Sequence, residues 1–248
     1  MLQANQNGLP LLRFEGLASL SGLTHAVTTR HGGVSQPPFD SLNLGLGADD
    51  PAAVAQNLAI LKEALGISTI AFARQVHGKT VLHAKGGEAY PLGEADGLVT
   101  DRPGVGLLIK TADCQSVILA APRHGVVANL HAGWRGQVAD IASAGVKMLK
   151  DKFNLPPHEI HAAVGPSLGP CCAEFVNWRA ELPPDFQPHM AGPDHFDLWA
   201  VTAMQLERAG LDPARVEFAR QCTKCGQGFF SYRRDKTTGR FGSLVALS

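Results

Sequence analysis

No excess of either charge marks this chain. Its 22 basic and 22 acidic residues cancel, so no net field draws it to nucleic acid or to an anionic membrane. No window approaches the roughly 18 apolar residues of a membrane span. The opening MLQANQNGLPLLRFEGL lacks the basic start and apolar stretch of a signal peptide, and a cytoplasmic protein is expected. Linker composition and solenoid-spaced repeats are also missing, so a single domain over 1–248 is expected, with 1–20 as a partly flexible N-terminal extension. The cysteines (114, 171, 172, 222 and 225) are few and odd in number. In a chain of this size that argues for reduced thiols, some available to metal.

Glycine (27) and proline (16) are plentiful and fall between short apolar runs, the punctuation of a folded α/β protein. Asp50-Pro51 ahead of Val54, Leu58, Leu61 and Leu65 predicts a capped helix that Gly66 ends in the left-handed conformation. Residues 105–109, 117–121 and 126–130 read as strands, and Pro122-Arg123-His124-Gly125 joins the last two as a hairpin with Ala121 opposite Val126. That register sets Ser116 opposite His131 and makes Cys114 a diagonal, same-face neighbour of His131, roughly 7 Å away along the backbone. Helical spacing from Val138 to Leu149 makes HAGWRG a strand-to-helix turn. A strand over 160–164, a helix over 197–209 stopped by Gly210, and strands over 215–219 and 242–247 complete the pattern.

Cys114 and His131 therefore stand at ligand-sharing distance, and a catalytic zinc takes three protein ligands with the fourth position open. His77, just before Gly78 at the end of a short segment, can project into the same cleft, though no strand pairing puts it there. A buried cysteine is most often a small hydrophobe, so spacing alone leaves a merely packed pair as the alternative. Asp113 adjoins Cys114 and offers a carboxylate to orient a ligand or take a proton, although strand alternation turns it the other way. Arg30 in TTRHGG presents a guanidinium to an anion or forms an ordinary turn, and Asn43 in SLNLG suits a base or ribose or caps a turn. Cys222-Thr223-Lys224-Cys225 would need a second pair to form a zinc ribbon. Cys171 and Cys172 are adjacent and are not expected to supply it, so this segment reads as a structural loop. Arg233 and Arg234 read as a solvated turn.

The segments TTRHGGVS, SLNLG, RQVHGKTV, ADGLVT, TADCQSVILAAP, HAGWRG, VGPSLGPCCAEF and CTKCGQGFFSYRRDKTTGR resemble, in order and spacing, the YfiH family over about residues 24–247. That family carries the names purine nucleoside phosphorylase, multicopper polyphenol oxidase (laccase) and peptidoglycan editing factor. The resemblance implies a single α/β domain with β-sheets packed between helical layers (α/β/β/α), similar to toxin-type cysteine hydrolases. It implies metal ligands at His77, Cys114 and His131, and pocket residues at Arg30 and Asn43. Zinc is the implied cofactor, with copper ranked below it. The implied partners are purine nucleosides and phosphate, in phosphorolysis of adenosine, inosine and methylthioadenosine and in deamination of adenosine by metal-activated water.

The H-x-E with P-C-x-x-C signature of zinc deaminases is missing, so a base must come from elsewhere, and Asp113 is the candidate. Copper oxidation finds little support, because methionines 1, 148, 190 and 204 lie far in sequence from the three ligands. Two other functions stay open: a cysteine hydrolase of cell-wall amides with Cys114 as nucleophile and His131 as base, and a metabolite-binding module without turnover. A monomer or weak homo-oligomer is expected.

Overall fold

Asn7 and Gly8 both take positive φ, 51° and 86°, as a two-residue hairpin loop requires. The chain folds back there at once in the computed structural model, which describes residues 1–248. Strands β1 (Leu2–Gln6) and β2 (Leu9–Arg13) flank the turn, followed by α1 (Glu15–Ala18) and β3 (Leu23–Thr28). The segment expected to be a partly flexible extension forms sheet and helix, with Leu9, Leu11, Phe14 and Leu17 buried. The Asn-Gly pair between β-prone residues was the signal for it.

Helix α2 (Pro51–Leu65) starts on Asp50, whose side chain accepts the amide of Ala52, and stops at Gly66 with φ 62°, as its caps predict. There follow β4 (Thr69–Ala71), β5 (Val81–His83), β6 (Gly97–Thr100), β7 (Val105–Thr111), β8 (Gln115–Ala121) and β9 (Val126–Ala132). Next come α3 (Trp134–Val138), α4 (Ile141–Phe153), β10 (His161–Val164), α5 (Trp178–Glu181) and a small pair, β11 (Met190–Gly192) with β12 (His195–Phe196). The chain ends with α6 (Leu198–Arg208), β13 (Val216–Phe218), α7 (Tyr232–Asp235) and β14 (Phe241–Leu247). No helix is long and apolar enough to cross a membrane.

The strands form two six-stranded sheets, ordered β1-β2-β3-β14-β7-β4 and β13-β10-β8-β9-β6-β5. Side-chain alternation divides each strand between two environments. Ile118, Ala120 and Val127 of the second sheet meet Val27, Leu107 and Val245 of the first in a core between the sheets. Their neighbours Val117, Leu119, Ala128 and Leu130 point outward against Ile141, Val146 and Leu149 of α4 and Leu206 of α6. On the other side Leu11, Ala26, Leu108 and Leu244 pack against Leu61, Ala64 and Leu65 of α2. The α/β fold with sheets between helical layers is therefore present.

The β8–β9 hairpin has the predicted register, with Ala121 facing Val126 and Ser116 facing His131. Its link is a 3-10 turn closed by Gly125 at φ 62°. One predicted helix is two: Asp140, at φ 60°, breaks the path and caps α4 by accepting the amide of Ser143.

Asn129, two residues before His131, crosses the sandwich. Its buried side-chain amide donates to the carbonyls of Leu107 (3.0 Å) and Ser243 (2.8 Å) on the opposite sheet. Asn129→Ala is expected to destabilise the protein by about 1–3 kcal/mol, the cost of leaving buried groups without partners. The expected observation is a lower urea midpoint at unchanged m-value; an unmoved midpoint would show that the two bonds contribute nothing.

Candidate metal centre and its cleft

Strands β4 and β7 run parallel, so their ends lie at the same end of the sandwich. From each of those ends the chain crosses to the other sheet, through residues 72–80 and through residues 112–114. The first crossing carries His77, the second Cys114, and the end of β9 brings His131. Their ligand atoms all lie within 4.8 Å of one another, and the two imidazole rings meet edge to face at 4.8 Å between centres. His131 is buried, Cys114 half-buried and His77 exposed, so the group opens on one side. His77 (φ 61°) and Asp113 (φ 94°) both hold left-handed backbone without being glycine. Such residues cost of order 1–3 kcal/mol each and persist where the surroundings over-determine them. Gly133 is required at close quarters: a Cβ there would sit 2.7 Å from the His77 ring and 3.0 Å from the Cys114 sulfur.

Asp96 organises the centre. The β6–β9 register pairs Gly97 with Leu130, which puts Asp96 beside His131, and the His131 Nδ1–H donates to its Oδ1 at 2.8 Å. The backbone amides of Val76, His77 and Gly78 donate to the same carboxylate at 3.2, 2.8 and 2.6 Å. One buried carboxylate thus orients both histidines, and Nε2 of His131 is left to face the centre. Burial would push the Asp96 carboxyl up, but the bonds from His131, Gly78 and His77 outweigh it and hold it below the usual carboxylate range. Burial likewise opposes ionisation of Cys114, yet the charge and hydrogen bonds of His131, with His77, bring its thiol down. His131 is held up in turn by Cys114 and Asp96 against its own desolvation. Each of the two groups thus favours the charged form of the other. Asp96 was visible in ADGLVT, but only pairing of β6 with β9 gives it this task.

The cleft beyond the centre has a volume of about 560 Å³ and is lined by, among others, Gln75, Lys110, Thr111, Tyr232 and Arg240. Arg30 and Asn43, expected in the pocket, do not line it. Arg30 donates through Nε to the Asp40 carbonyl (3.0 Å), pairs with the Asp40 carboxylate and lies over the Phe230 ring. Asn43 is buried and saturated: its carbonyl accepts the amides of Gly45 and Arg240 (both 2.8 Å), and its amide donates to Asp49. It shapes the cleft through Gly45 and Arg240, which do line it. Asp113 does not line the cleft either: Oδ1 accepts from the Thr223 hydroxyl and Oδ2 from the amide of Arg233, each at 2.6 Å. Its carboxylate fixes the turn that presents Cys114.

A four-cysteine group also forms, contrary to the structural-loop expectation. Cys171, Cys172, Cys222 and Cys225 all place their sulfurs within 4.8 Å of one another. Adjacency of Cys171 and Cys172 does not prevent this, because the 165–172 and 219–228 loops run side by side, with Thr223 N–H donating to Ser167 O at 3.0 Å. Arg234 is no solvated turn residue either: its guanidinium donates to the carbonyls of Thr223, Gly226 and Phe229.

The family model described as multi-copper polyphenol oxidoreductase laccase matches residues 24–248. A Deinococcus radiodurans protein named purine nucleoside phosphorylase is 41% identical over 97% of this chain and 94% of its own. Purine nucleoside phosphorylase YlmD of Geobacillus stearothermophilus is 35% identical over 93% of this chain and 92% of its own. The crystal structure of that YlmD superposes with a TM-score of 0.88 over 100% of this chain and 98% of its own, at 32% identity. The Bacillus licheniformis YfiH crystal structure superposes equally well, at 0.88 over 99% and 97%, with 29% identity.

Replacing the carboxylate that orients both histidines is expected to weaken metal binding at this centre. Asp96→Asn should lower the affinity about 10- to 100-fold, read by competition with a chromophoric chelator. An affinity equal to that of the parent protein would remove Asp96 from the centre.

Proposed function

This chain belongs to the family described as multi-copper polyphenol oxidoreductase laccase, which also takes in YfiH and YlmD, and on that premise we propose that it is a zinc-dependent purine nucleoside phosphorylase. The observation that carries the reading is the charge of the cleft: Arg74, Lys110 and Arg240 line it and no carboxylate does. Such a wall suits phosphate held beside a nucleoside. Arg74 is paired with Glu94, and Arg240 donates to the carbonyls of Thr238 and Gly239. Lys110 has neither kind of partner. It lies 4.3 Å from the centre of the Phe72 ring, and burial brings its pKa down to about 8, so a bound anion would favour its charged form. The volume of about 560 Å³ falls in the range of small-molecule sites.

Phosphorolysis joins a phosphate oxygen to ribose C1′ as the bond from C1′ to the purine nitrogen breaks, and the proton of the attacking hydrogen phosphate ends on the departing purine. In this reading Lys110 and Arg240 hold the phosphate against C1′, and Asp96 keeps the proton on Nδ1 of His131. Asp113 positions Cys114 and is not the base. The converging thiolate and two imidazoles, the carboxylate behind His131 and the side open to the cleft fit one zinc. Zinc in such a setting supplies a Lewis acid that lowers the pKa of water toward about 7, the chemistry for deaminating adenosine, the second activity assigned here. A multi-copper centre fits the residues poorly, because no methionine lines the cleft and no further group of histidines assembles.

A second reading has its own observation. Cys114, His131 and Asp96 stand as thiol, imidazole and carboxylate, the set of a cysteine hydrolase. Incubation of adenosine with phosphate, followed by chromatography, distinguishes the two. Adenine and ribose 1-phosphate should appear and should disappear on chelation. No turnover of adenosine, or turnover that survives chelation and is abolished by a thiol alkylator, would overturn the zinc reading.

Lys110→Met is expected to raise the KM for phosphate about 10- to 150-fold, the worth of one charged hydrogen bond. The KM for nucleoside should change little. An unchanged phosphate KM in initial-rate measurements would place the anion elsewhere.

A further inference from the structure

The geometry points to a second metal site, in which Cys171, Cys172, Cys222 and Cys225 hold a single structural zinc ion that clamps together the two loops behind the catalytic turn. Four zinc–sulfur bonds of about 2.3 Å in a tetrahedron set neighbouring sulfurs about 3.8 Å apart. Here the Cys225 sulfur lies 3.5 Å from that of Cys172 and 3.7 Å from that of Cys171, and no pair of the four is more than 4.8 Å apart. These spacings exceed the 2.05 Å or so of a disulfide. Cys225 also stands almost equally near two partners, as a shared ligand would require and a unique disulfide would not. An iron–sulfur cluster places several metal atoms between its cysteines and needs them further apart than one ion does.

The surroundings fit closely around the four sulfurs. Gly169 leaves little room for a side chain: a Cβ there would come within 2.9 Å of the Trp199 ring and 3.2 Å of the Cys222 Cβ. Arg234 holds the CxxC loop from its carbonyl side through Thr223 and Gly226. Binding would release the remaining thiol protons to solvent and leave four closed ligands, the pattern of a structural rather than a catalytic zinc.

The clamp acts on the catalytic centre through one covalent step and one hydrogen bond. Thr223, next to Cys222, donates to the Asp113 carboxylate at 2.6 Å, and Asp113 sets the left-handed turn before Cys114. Leu168 N–H, from the partner loop, donates to the Asp113 carbonyl at 2.9 Å. Both clamped loops therefore hold the residue that presents the cysteine of the cleft.

The test is zinc content of the full chain, purified under reductant without chelator and measured by elemental mass spectrometry. A His77→Ala/His131→Ala variant should keep one zinc per chain. A Cys171→Ser/Cys225→Ser variant should carry one zinc fewer than the parent protein, and cobalt substitution should show an intense thiolate charge-transfer band in the histidine variant. If the histidine variant carries no zinc, or the serine variant holds as much as the parent protein, the site does not exist. Should the serine variant not fold, the histidine variant alone decides, because it leaves the four cysteines untouched.

Discussion

A carboxylate out of contact with water survives as an anion only where donors surround it, and Asp96 meets that condition with a ring N–H from His131 and three backbone amides from residues 76–78. The arrangement works in both directions. The donors keep Asp96 ionised, and Asp96 fixes the tautomer of one histidine and the backbone of the other. The left-handed conformation of His77, unfavourable in an isolated chain, is offset by these bonds. Without the carboxylate, the two imidazoles would lose their common reference.

The same logic recurs one crossing away. Asp113, also left-handed, is held by Thr223 and Arg233, and it presents Cys114 as Asp96 presents His77 and His131. Two buried or half-buried carboxylates therefore act as backbone anchors at the end of the sandwich where the chain passes between sheets. This is the end where the interior becomes polar. Asn129, Asp96 and His131 continue inward-facing rows that are apolar further along the strands. The cleft follows from this geometry, and the cations at its wall make it suited to an anionic ligand.

Much of this was open to reading from local pattern. The caps of α2 were written in Asp50, Pro51 and Gly66, and the meeting of Cys114 with His131 followed from the period-2 alternation of one hairpin. Both depend on contacts within a few residues, where turn chemistry and strand period leave few alternatives. His77 was placed only by resemblance, and Arg30 and Asn43 were expected in the cleft on the same ground. The structure gives those two supporting contacts instead, because their polar atoms are already occupied by neighbouring loops.

Residue types, caps, strand period and the hairpin register belong to the chain alone, since each is settled by sterics and hydrogen bonding over a short span. The partnership of Asp96 with His131, the convergence of Lys110 and Arg240 on one cleft, and the meeting of Cys171 and Cys172 with the CxxC segment about 50 residues later all belong to the packed sheets. They require strands from distant parts of the chain to take a particular order. That order is set by how two apolar sheet faces and their covering helices are buried together, a property of the whole sequence that no single motif displays.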